Sequence, residues 1–169
     1  MKIALLSDTH GYMDDEIVQH CRAADEIWHA GDMGSLAVMQ QLEQTGKPIV
    51  AVTGNVDGDE LKKNHPVQQH LEREGIKVWI RHIVGNPERY YPDVRAVLRN
   101  PKKRPDLLIA GHSHILQIAR DDYGTLFINP GAAGQSGFHQ KRTMVYFELT
   151  RGEIKNVAVV DFGARGQRP

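Results

Sequence analysis

Short apolar runs that end in small or polar residues recur along the first two thirds of the chain. Each run joins aliphatic residues to a closing glycine, aspartate or histidine, a pattern typical of a buried strand followed by a turn. The runs lie at 2–11 (KIALLSDTHG), 26–34 (EIWHAGDMG), 48–58 (PIVAVTGNVDG), 78–85 (VWIRHIVG) and 106–114 (DLLIAGHSH). The pattern therefore predicts five buried strands.

Segments with helical spacing of apolar residues lie between and beside these strands. Segment 14–22 starts with acidic residues, and segment 35–44 starts with serine, which is a favourable helix cap. Segment 92–100 is a third predicted helix, which ends before Pro101 because proline cannot continue a helix. Alternation of strands and helices predicts parallel strands joined by right-handed crossovers.

The last third of the chain has a different character. Segments 124–131, 142–150 and 153–162 are predicted strands with little room for helices between them, so antiparallel pairing is expected. The expected fold class is α/β, with two packed mixed β-sheets flanked by helices. No repeat or long linker divides the sequence, and we expect a single domain over 1–169.

Composition and charge exclude several classes of protein. Lys plus Arg and Asp plus Glu both count 21, so no basic field favours nucleic acid as a partner. Cys21 is the only cysteine, which excludes an intrachain disulfide and a thiolate metal site and favours a reducing compartment. No segment approaches the roughly 20 apolar residues that span a bilayer, and the apolar run at 3–6 is too short for a signal peptide. We therefore expect a cytoplasmic protein without a membrane partner.

Polar residues with ligand chemistry follow each of the five predicted strands. Because the carboxyl ends of parallel strands meet at one edge of a sheet, these side chains are expected to converge there. In chain order they are Asp8 and His10, then Asp32, then Asn55 and Asp57, then His82, and finally His112 and His114. If the strand backbone continues through "GHSH", His112 and His114 point to the same side.

Each of these motifs has a simpler explanation when it stands alone. Asp and Asn after glycine more often close a turn than bind a ligand. Agreement between five strand ends favours a site instead. Four imidazoles, two carboxylates and one amide exceed the four ligands of a single zinc ion, and they suit two divalent ions roughly 3.5 to 4 Å apart. The mixed nitrogen and oxygen set favours manganese, iron or zinc over calcium or magnesium. The positive charge of two divalent ions would exceed the negative charge of the two carboxylates, and this net positive charge favours a phosphate ester as the substrate.

The order D-x-H, G-D, G-N-x-D, lone histidine and G-H-x-H resembles the calcineurin-like metallophosphoesterases. It resembles most closely their small single-domain branch, the YfcE-type phosphodiesterases, to which the retromer subunit is also related. The resemblance extends over about residues 2 to 160 and includes "NPGAAG" at 129–134. It implies a four-layer αββα metallophosphoesterase sandwich and hydrolysis of phosphate esters, most of all phosphodiesters, by a hydroxide that two metals activate.

The resemblance also implies a role for each candidate residue. Asn55 and His112 form the implied catalytic set together with Asp57, which would orient a ligand or its turn. Manganese is the favoured metal, and iron, zinc and nickel are the alternatives. The implied ligands are Asp8, His10 and His114 for one ion, Asn55, His82 and His112 for the other, and Asp32 as the bridge between them.

One departure from the superfamily pattern affects catalysis. Larger members have a histidine between the Asn and Asp of G-N-x-D, where this chain has Val56. Valine cannot donate a proton to a leaving group, and general acid catalysis contributes roughly 10²- to 10⁴-fold. The small branch commonly lacks this histidine and is associated with diester hydrolysis, so Val56 favours diesters with good leaving groups.

Two residues outside the ligand set are predicted to bind substrate. Arg89 lies in the loop that follows His82, and His139 follows the Asn-Pro-Gly segment. The alternative for both is an exposed turn without a binding function. The alternative for the whole protein is a non-catalytic protein-binding scaffold on the same fold, like the retromer subunit. A homo-oligomer is compatible with either function.

Overall fold

The computed structural model describes residues 1–166 of the chain. This part of the chain contains twelve strands and four helices. The strands are β1 (Lys2–Leu6), β2 (Glu26–His29), β3 (Ile49–Ala51), β4 (Gln68–Arg73), β5 (Ile76–Arg81), β6 (Gly85–Asn86), β7 (Arg89–Tyr90), β8 (Leu107–Ile109), β9 (Leu116–Arg120), β10 (Leu126–Pro130), β11 (Lys141–Thr150) and β12 (Glu153–Ala164). The helices are α1 (Asp15–Arg22), α2 (Leu36–Glu43), α3 (Asp59–Asn64) and α4 (Pro92–Arg99).

The strands form two five-stranded mixed sheets and one small hairpin. Sheet A has the order β12-β11-β1-β2-β3, in which β1, β2 and β3 are parallel and β11 and β12 are antiparallel neighbours. Sheet B has the order β4-β5-β8-β10-β9, with β5, β8 and β10 parallel and an antiparallel strand at each edge. Strands β6 and β7 pair only with each other.

The core between the two sheets is built from alternate residues of the strands. In β1, Ile3 and Leu5 point into this core, whereas Ala4 and Leu6 point to the opposite face of sheet A. All four side chains are fully buried. Because both faces of the parallel strands are covered, their sequences are continuous apolar runs and not alternating ones. This explains why the sequence pattern located these strands.

Helices cover the outer face of each sheet and complete four layers. Ile17 of α1 and Leu42 of α2 pack with the outer residues of β1 and β2, and Val94 and Leu98 of α4 pack against Phe127 of β10. The three predicted helices are present, and α1 begins after Asp14, whose carboxylate accepts a hydrogen bond from the Ile17 N–H. The predicted α/β class with two mixed sheets between helices is confirmed.

The sequence pattern missed several short elements. Helix α3 has Leu61 as its one buried residue, and β4 (QQHLER) has no fully buried side chain. Strand β9 is an edge strand with exposed Leu116 and Ile118, and the β6–β7 hairpin lies where a loop was predicted. These segments lack the buried apolar face from which periodicity is recognised, since they depend on pairing with a distant strand or on a turn.

Candidate metal centre

Side chains from both sheets form a cluster at the edge where the parallel strands end. Sheet A contributes oxygen ligands and one imidazole, and sheet B contributes imidazoles. The seven predicted ligands are placed as follows: Asp8 and His10 after β1, Asp32 after β2, Asn55 after β3, His82 after β5, and His112 and His114 after β8. The topology therefore brings together side chains that are up to 106 positions apart, from position 8 to position 114.

The loops that carry the predicted ligands contain residues in the left-handed backbone conformation. Within residues 1–166, eight residues other than glycine have a positive φ angle. Five of the eight are predicted ligands: Asp8 (54°), His10 (48°), Asp32 (56°), His112 (68°) and His114 (58°). This conformation is unfavourable for residues that carry a Cβ atom, and it concentrates at functional sites. The strained backbone supports a binding function for this edge.

The "GHSH" segment reaches the cluster by a different route from the one expected. An extended backbone was the condition for placing both histidine rings on one side, but β8 ends at Ile109 and both histidines have positive φ angles. His112 contacts Asn55, whereas His114 contacts Asp8 and His10. The turn, and not strand alternation, directs the two rings to separate parts of the cluster.

One group of donors consists of Asp8, His10 and His114. The Nε2 atoms of the two histidines are 3.1 Å apart, and the Oδ1 atom of Asp8 lies 3.2 Å from His114 Nε2 and 3.9 Å from His10 Nε2. Donors bound to one ion at about 2.1 Å are separated by roughly 3 to 4 Å. The spacing of this group therefore fits a shared metal ion.

A second group consists of Asp8, Asp32 and His82, all of them buried. The Nε2 atom of His82 lies 3.2 Å from Oδ2 of Asp32 and 3.8 Å from Oδ1 of Asp8. Asp8 is thus common to both groups, while Asp32 also reaches within 4.0 Å of His10. In this geometry Asp8 as well as Asp32 is placed to contact two ions.

The ring of His82 is held with one nitrogen directed into the cluster. Its Nδ1–H donates to the carbonyl of Ala30 at 2.7 Å, and Nε2, which is buried, has no hydrogen-bond partner within residues 1–166. Burial alone would lower the pKa of His82, but the carboxylates of Asp32 and Asp8 outweigh it and raise the pKa above its usual value. A buried nitrogen facing two carboxylates needs a cation, either a proton or a metal ion.

His114 is held in a comparable way by His139. The carbonyl of Gly134 can only accept a hydrogen bond, so His139 donates from Nε2 at 3.0 Å and accepts at Nδ1 from His114 Nδ1–H at 3.3 Å. Burial lowers the pKa of His139, which favours this neutral form. The arrangement leaves the lone pair of His114 Nε2 directed at the Asp8 and His10 group. A hydrogen bond on the remote ring nitrogen is a common feature of histidine metal ligands.

The predicted substrate contact of His139 is not favoured by these positions. His139 is 8% exposed and lies behind His114. Its contacts place it to orient the ring of His114, which is a predicted ligand.

Asn55 and His112 form the exposed wall of the cluster. Oδ1 of Asn55 lies 2.8 Å from Nδ1 of His112, and the His112 ring packs edge-on against His82 with centroids 5.4 Å apart. The backbone N–H of His112 also donates to the carboxylate of Asp8, at 3.1 Å to Oδ2. These two predicted ligands therefore border the second group on a side that is exposed to solvent.

Asp57 is a buried anchor and does not face the open side. Its carboxylate accepts hydrogen bonds from the backbone N–H groups of Asp32 at 3.1 Å, Gly34 at 2.8 Å and Gly54 at 2.8 Å. It thereby joins the loop after β2 to the loop after β3. Of the roles implied for Asp57, orientation of a ligand and its turn is the one that these contacts support. The adjacent Val56 is half exposed, and its N–H donates to Asp32 Oδ1 at 2.9 Å.

The glycines of G-N and G-H are required by close packing against ligands. A Cβ atom on Gly54 would lie 2.1 Å from Oδ1 of Asp32, and one on Gly111 would lie 2.1 Å from Ser7 Oγ and 2.8 Å from Asp8 Oδ2. Real Cβ atoms do not approach neighbours this closely. Glycine therefore lets the loops from the two sheets meet around the carboxylates.

Sequence reasoning missed the residues that support the ligands from behind. Asn129 is buried, and its side-chain amide donates to the carbonyl of Gly111 at 2.7 Å and to Ser113 Oγ at 3.0 Å. It thus holds the loop that carries His112 and His114. The "NPG" motif belongs to the family resemblance, but nothing local in the sequence indicates which loop its asparagine contacts.

Arg89, the other predicted substrate contact, is exposed in β7. It lines a groove of about 640 Å³ beside the cluster together with Tyr91 and Arg95. Tyr91 also lines a smaller adjoining cavity that includes His112.

Comparison with known proteins identifies the family. Residues 1–152 match the calcineurin-like phosphoesterase superfamily domain. The chain therefore belongs to the calcineurin-like phosphoesterase superfamily, and the donor set of the cluster fits the divalent metal ions that this family implies. No helix within residues 1–166 has both the length and the apolar character that crossing a membrane requires.

Two similar proteins are named as a metallophosphoesterase and a phosphodiesterase. A probable metallophosphoesterase of Mycoplasma pneumoniae is 34% identical over 134 residues, which is 78% of this chain and 78% of the relative. Phosphodiesterase MJ0936 of Methanocaldococcus jannaschii is 29% identical over 144 residues, covering 78% of this chain and 83% of its own. A structure of a Vps29 variant from Entamoeba histolytica aligns with a TM-score of 0.73 at 16% identity, over 96% of this chain and 100% of that one. At that identity, the likeness to Vps29 concerns the fold alone.

Proposed function

We propose that this protein is a metal-dependent phosphodiesterase with a centre for two divalent ions. The observation that carries the proposal is the convergence of carboxylate oxygens and imidazole nitrogens on common points, with the buried Nε2 of His82 unpaired between Asp8 and Asp32. The names of the Mycoplasma and Methanocaldococcus relatives support phosphoester hydrolysis.

The proposed ligands are drawn from the two donor groups and the exposed wall. Asp8, His10 and His114 would hold one ion, Asn55, His82 and His112 the other, and Asp32 would bridge them. When bound, two such ions would neutralise phosphate charge and activate water for attack on phosphorus. Manganese is the metal we favour for this nitrogen and oxygen set, with iron, zinc and nickel as alternatives.

The residues of the chain define how a substrate would approach. Asp8, Asp32 and His82 are buried and form the floor, and Asn55 and His112 are exposed on the side from which a phosphate group would approach. The half-exposed Val56 stands at this entrance and cannot donate a proton to a leaving group. We therefore propose phosphodiesters with good leaving groups as the preferred substrate class.

Hydrolysis of paired aryl substrates tests the proposal. Metal-free protein would be reloaded with manganese, iron, zinc or nickel, and its metal content measured. Turnover of bis(p-nitrophenyl) phosphate and p-nitrophenyl phosphate would then be compared. We expect metal-dependent turnover with a preference for the diester. His114→Ala should abolish it, whereas His70→Gln, at an exposed position on β4 of the same sheet, should not.

Absence of turnover of both substrates in protein that contains two metal ions would refute the phosphodiesterase proposal. The fold is shared with Vps29, a protein named for vacuolar sorting and not for hydrolysis. That result would therefore favour the alternative of a binding scaffold on this fold.

A further inference from the structure

A groove leads away from the exposed wall of the metal centre. A cavity of about 190 Å³ begins at His112 and is bordered by Tyr91, Ile115 and Gln117. A second cavity of about 640 Å³ contains Arg89 and Arg95. The two cavities share Gly85 and Tyr91 as lining residues. The shared residues place the two cavities side by side, one lined by His112 and the other by the two arginines, and we refer to them together as the groove.

The β6–β7 hairpin that carries this groove is firmly attached to sheet B. The hydroxyl of Tyr90 donates to Asp121 at 3.0 Å, and Tyr90 is 6% exposed. The N–H of Tyr91 donates to the carbonyl of Val84 at 3.0 Å, and the Asn86 side chain accepts from the Arg89 N–H at 2.8 Å. Because the backbone is held on both sides, the side chains of Tyr91 and Arg89 are presented from a defined position.

The chemistry of the groove changes along its length. Near His112 the exposed rim is apolar, with Tyr91 at 48% and Ile115 at 65% exposure, which suits a ring that packs against an aromatic side chain. At the far end, Arg89 and Arg95 have no salt-bridge partner within residues 1–166, whereas the nearby Arg81 is paired with Asp93. Glu88, next to Arg89 in sequence, lines neither cavity. Two unpaired guanidinium groups in one groove attract an anion such as phosphate.

We infer that this groove is a substrate subsite. It selects phosphodiesters in which one of the two substituents carries both a ring and a second phosphate group. The diester phosphate would lie at the metal centre, the ring against Tyr91, and the second phosphate between Arg89 and Arg95. The inference rests on the proposed phosphodiesterase function and narrows its substrate to nucleotide-like diesters.

A pair of chromogenic substrates tests the subsite. The p-nitrophenyl ester of thymidine 5′-phosphate would be compared with the same ester that also carries a 3′-phosphate. With manganese-loaded protein, we expect kcat/KM to be roughly tenfold higher for the doubly phosphorylated ester, mainly through KM, as one or two charge-assisted hydrogen bonds would produce. Added sodium chloride should weaken this preference.

Variants assign the effect to the arginines. In the double variant Arg89→Gln and Arg95→Gln, the ratio of the two kcat/KM values should fall to about one. Arg99→Gln, an exposed position on the same helix α4 but outside the groove, should retain the wild-type ratio. A preference that persists in the double variant would overturn the inference.

A binding measurement separates this inference from the proposed activity. Calorimetry would compare thymidine 3′,5′-bisphosphate with thymidine 5′-phosphate, using manganese-loaded wild type and the double variant. Tighter binding of the bisphosphate to wild type alone supports the subsite even if neither ester is hydrolysed, a result that would sink only the phosphodiesterase proposal. Equal affinities in the two proteins would refute the subsite even if both esters are hydrolysed.

Discussion

Sheet A and sheet B supply different chemistry to the same centre. The loops of sheet A carry both carboxylates, the amide of Asn55 and the single imidazole of His10. The loops of sheet B carry three imidazoles, from His82, His112 and His114. The negative charge of the proposed centre therefore comes from sheet A, whereas most of its proposed neutral ligands come from sheet B. Neither sheet has a complete set, so the centre depends on the packing of one sheet against the other.

The two sheets also anchor their ligands differently. In sheet A, the carboxylate of Asp57 fastens two ligand loops through backbone N–H groups. In sheet B, each ligand ring is fixed through its second nitrogen or its loop, and the partner of His82 is a carbonyl from sheet A, that of Ala30. Sheet A thus provides the negative charge and one anchor for a ring of sheet B, whereas Asn129 of sheet B holds the loop that carries His112 and His114. Five predictions test the contributions of the two sheets, from the largest expected effect to the smallest, and Asp8→Asn serves as a check on the first.

Asp32→Asn should have the largest effect, because it removes charge from sheet A at the proposed bridge. We expect loss of both metal ions on dialysis and a fall in diesterase activity of more than about a hundredfold, beyond the 10- to 100-fold typical of residues that only support a metal ligand. Metal content by mass spectrometry and the aryl diester assay measure these effects. Asp59→Asn, at an exposed position on α3, is the control.

Asp8→Asn distinguishes the two carboxylates of sheet A. Asp8 is common to both donor groups, so it is the competing candidate for the bridge. If Asp32→Asn loses one ion while Asp8→Asn loses both, the bridge belongs to Asp8.

Asp57→Asn should destabilise the protein even without metal. The amide side chain retains one acceptor oxygen but turns an N–H group toward backbone N–H groups, so at least one buried hydrogen bond is lost. We expect about 3 kcal/mol less stability, within the range for hydrogen bonds to a buried charge. Urea unfolding in the presence of EDTA gives the value. A loss below about 0.5 kcal/mol would show that the sheet A loops do not need this anchor.

Metal loading should stabilise the assembled sheets. Since the proposed ligands of each ion come from both sheets, unfolding must release the metal. At a metal concentration a hundred times Kd, the gain is about 2.7 kcal/mol. This corresponds to a rise in Tm of roughly 5 to 10 °C for a domain of this size. Thermal unfolding with manganese and with EDTA measures the shift. His70→Gln should keep it and Asp32→Asn should lose it; a shift retained in Asp32→Asn contradicts the assignment.

Val56→His adds an imidazole to the sheet A side of the entrance. Val56 is half exposed, so the new side chain needs no repacking. We expect the ratio of monoester to diester turnover to rise by about tenfold, which is less than the roughly 10²- to 10⁴-fold of an evolved general acid because the new imidazole is not optimally placed. The matched control is Val67→His, at an exposed position elsewhere. An unchanged ratio would mean that position 56 does not control protonation of the leaving group.

The pKa values of His29 in sheet A and His82 in a loop of sheet B are shifted in opposite directions. Burial lowers the pKa of His29 in β2 from 6.5 to about 4, against the opposing charge of Asp57, whereas the pKa of His82 is raised. His29 is therefore neutral in the folded protein and becomes protonated on unfolding below pH 6.5. Its contribution to stability is complete above that pH and is lost as the pH falls toward 4, by about 1 kcal/mol near pH 5.8.

The advantage of metal-free wild type over His29→Gln in urea unfolding should therefore shrink between pH 7 and about pH 5.8. An advantage that stays constant over this range would show that His29 does not have a depressed pKa.

The apolar runs and the strand-end motifs were sufficient to predict much of this protein. Leu5 and Ile109 lie in continuous runs because both faces of their strands are buried, and that signal is local. Asp32 and His82 could be selected as ligands because each follows such a run, and parallel strands end at one edge. The short elements α3, β4 and β9 escaped detection because their residues are polar or exposed, and distant partners specify them.

Only the tertiary structure decided how these residues work together. It placed Asp8 in both donor groups, brought His139 against His114, and set the cavity that contains His112 beside the one that contains Arg95. The sequence by itself determined the buried strands, three of the four helices within residues 1–166 and which residues have ligand chemistry, because burial and turn formation are encoded within a few neighbouring positions. Distances, ring orientations and shared contacts arise between residues far apart in the chain, and they exist only once the two sheets have packed.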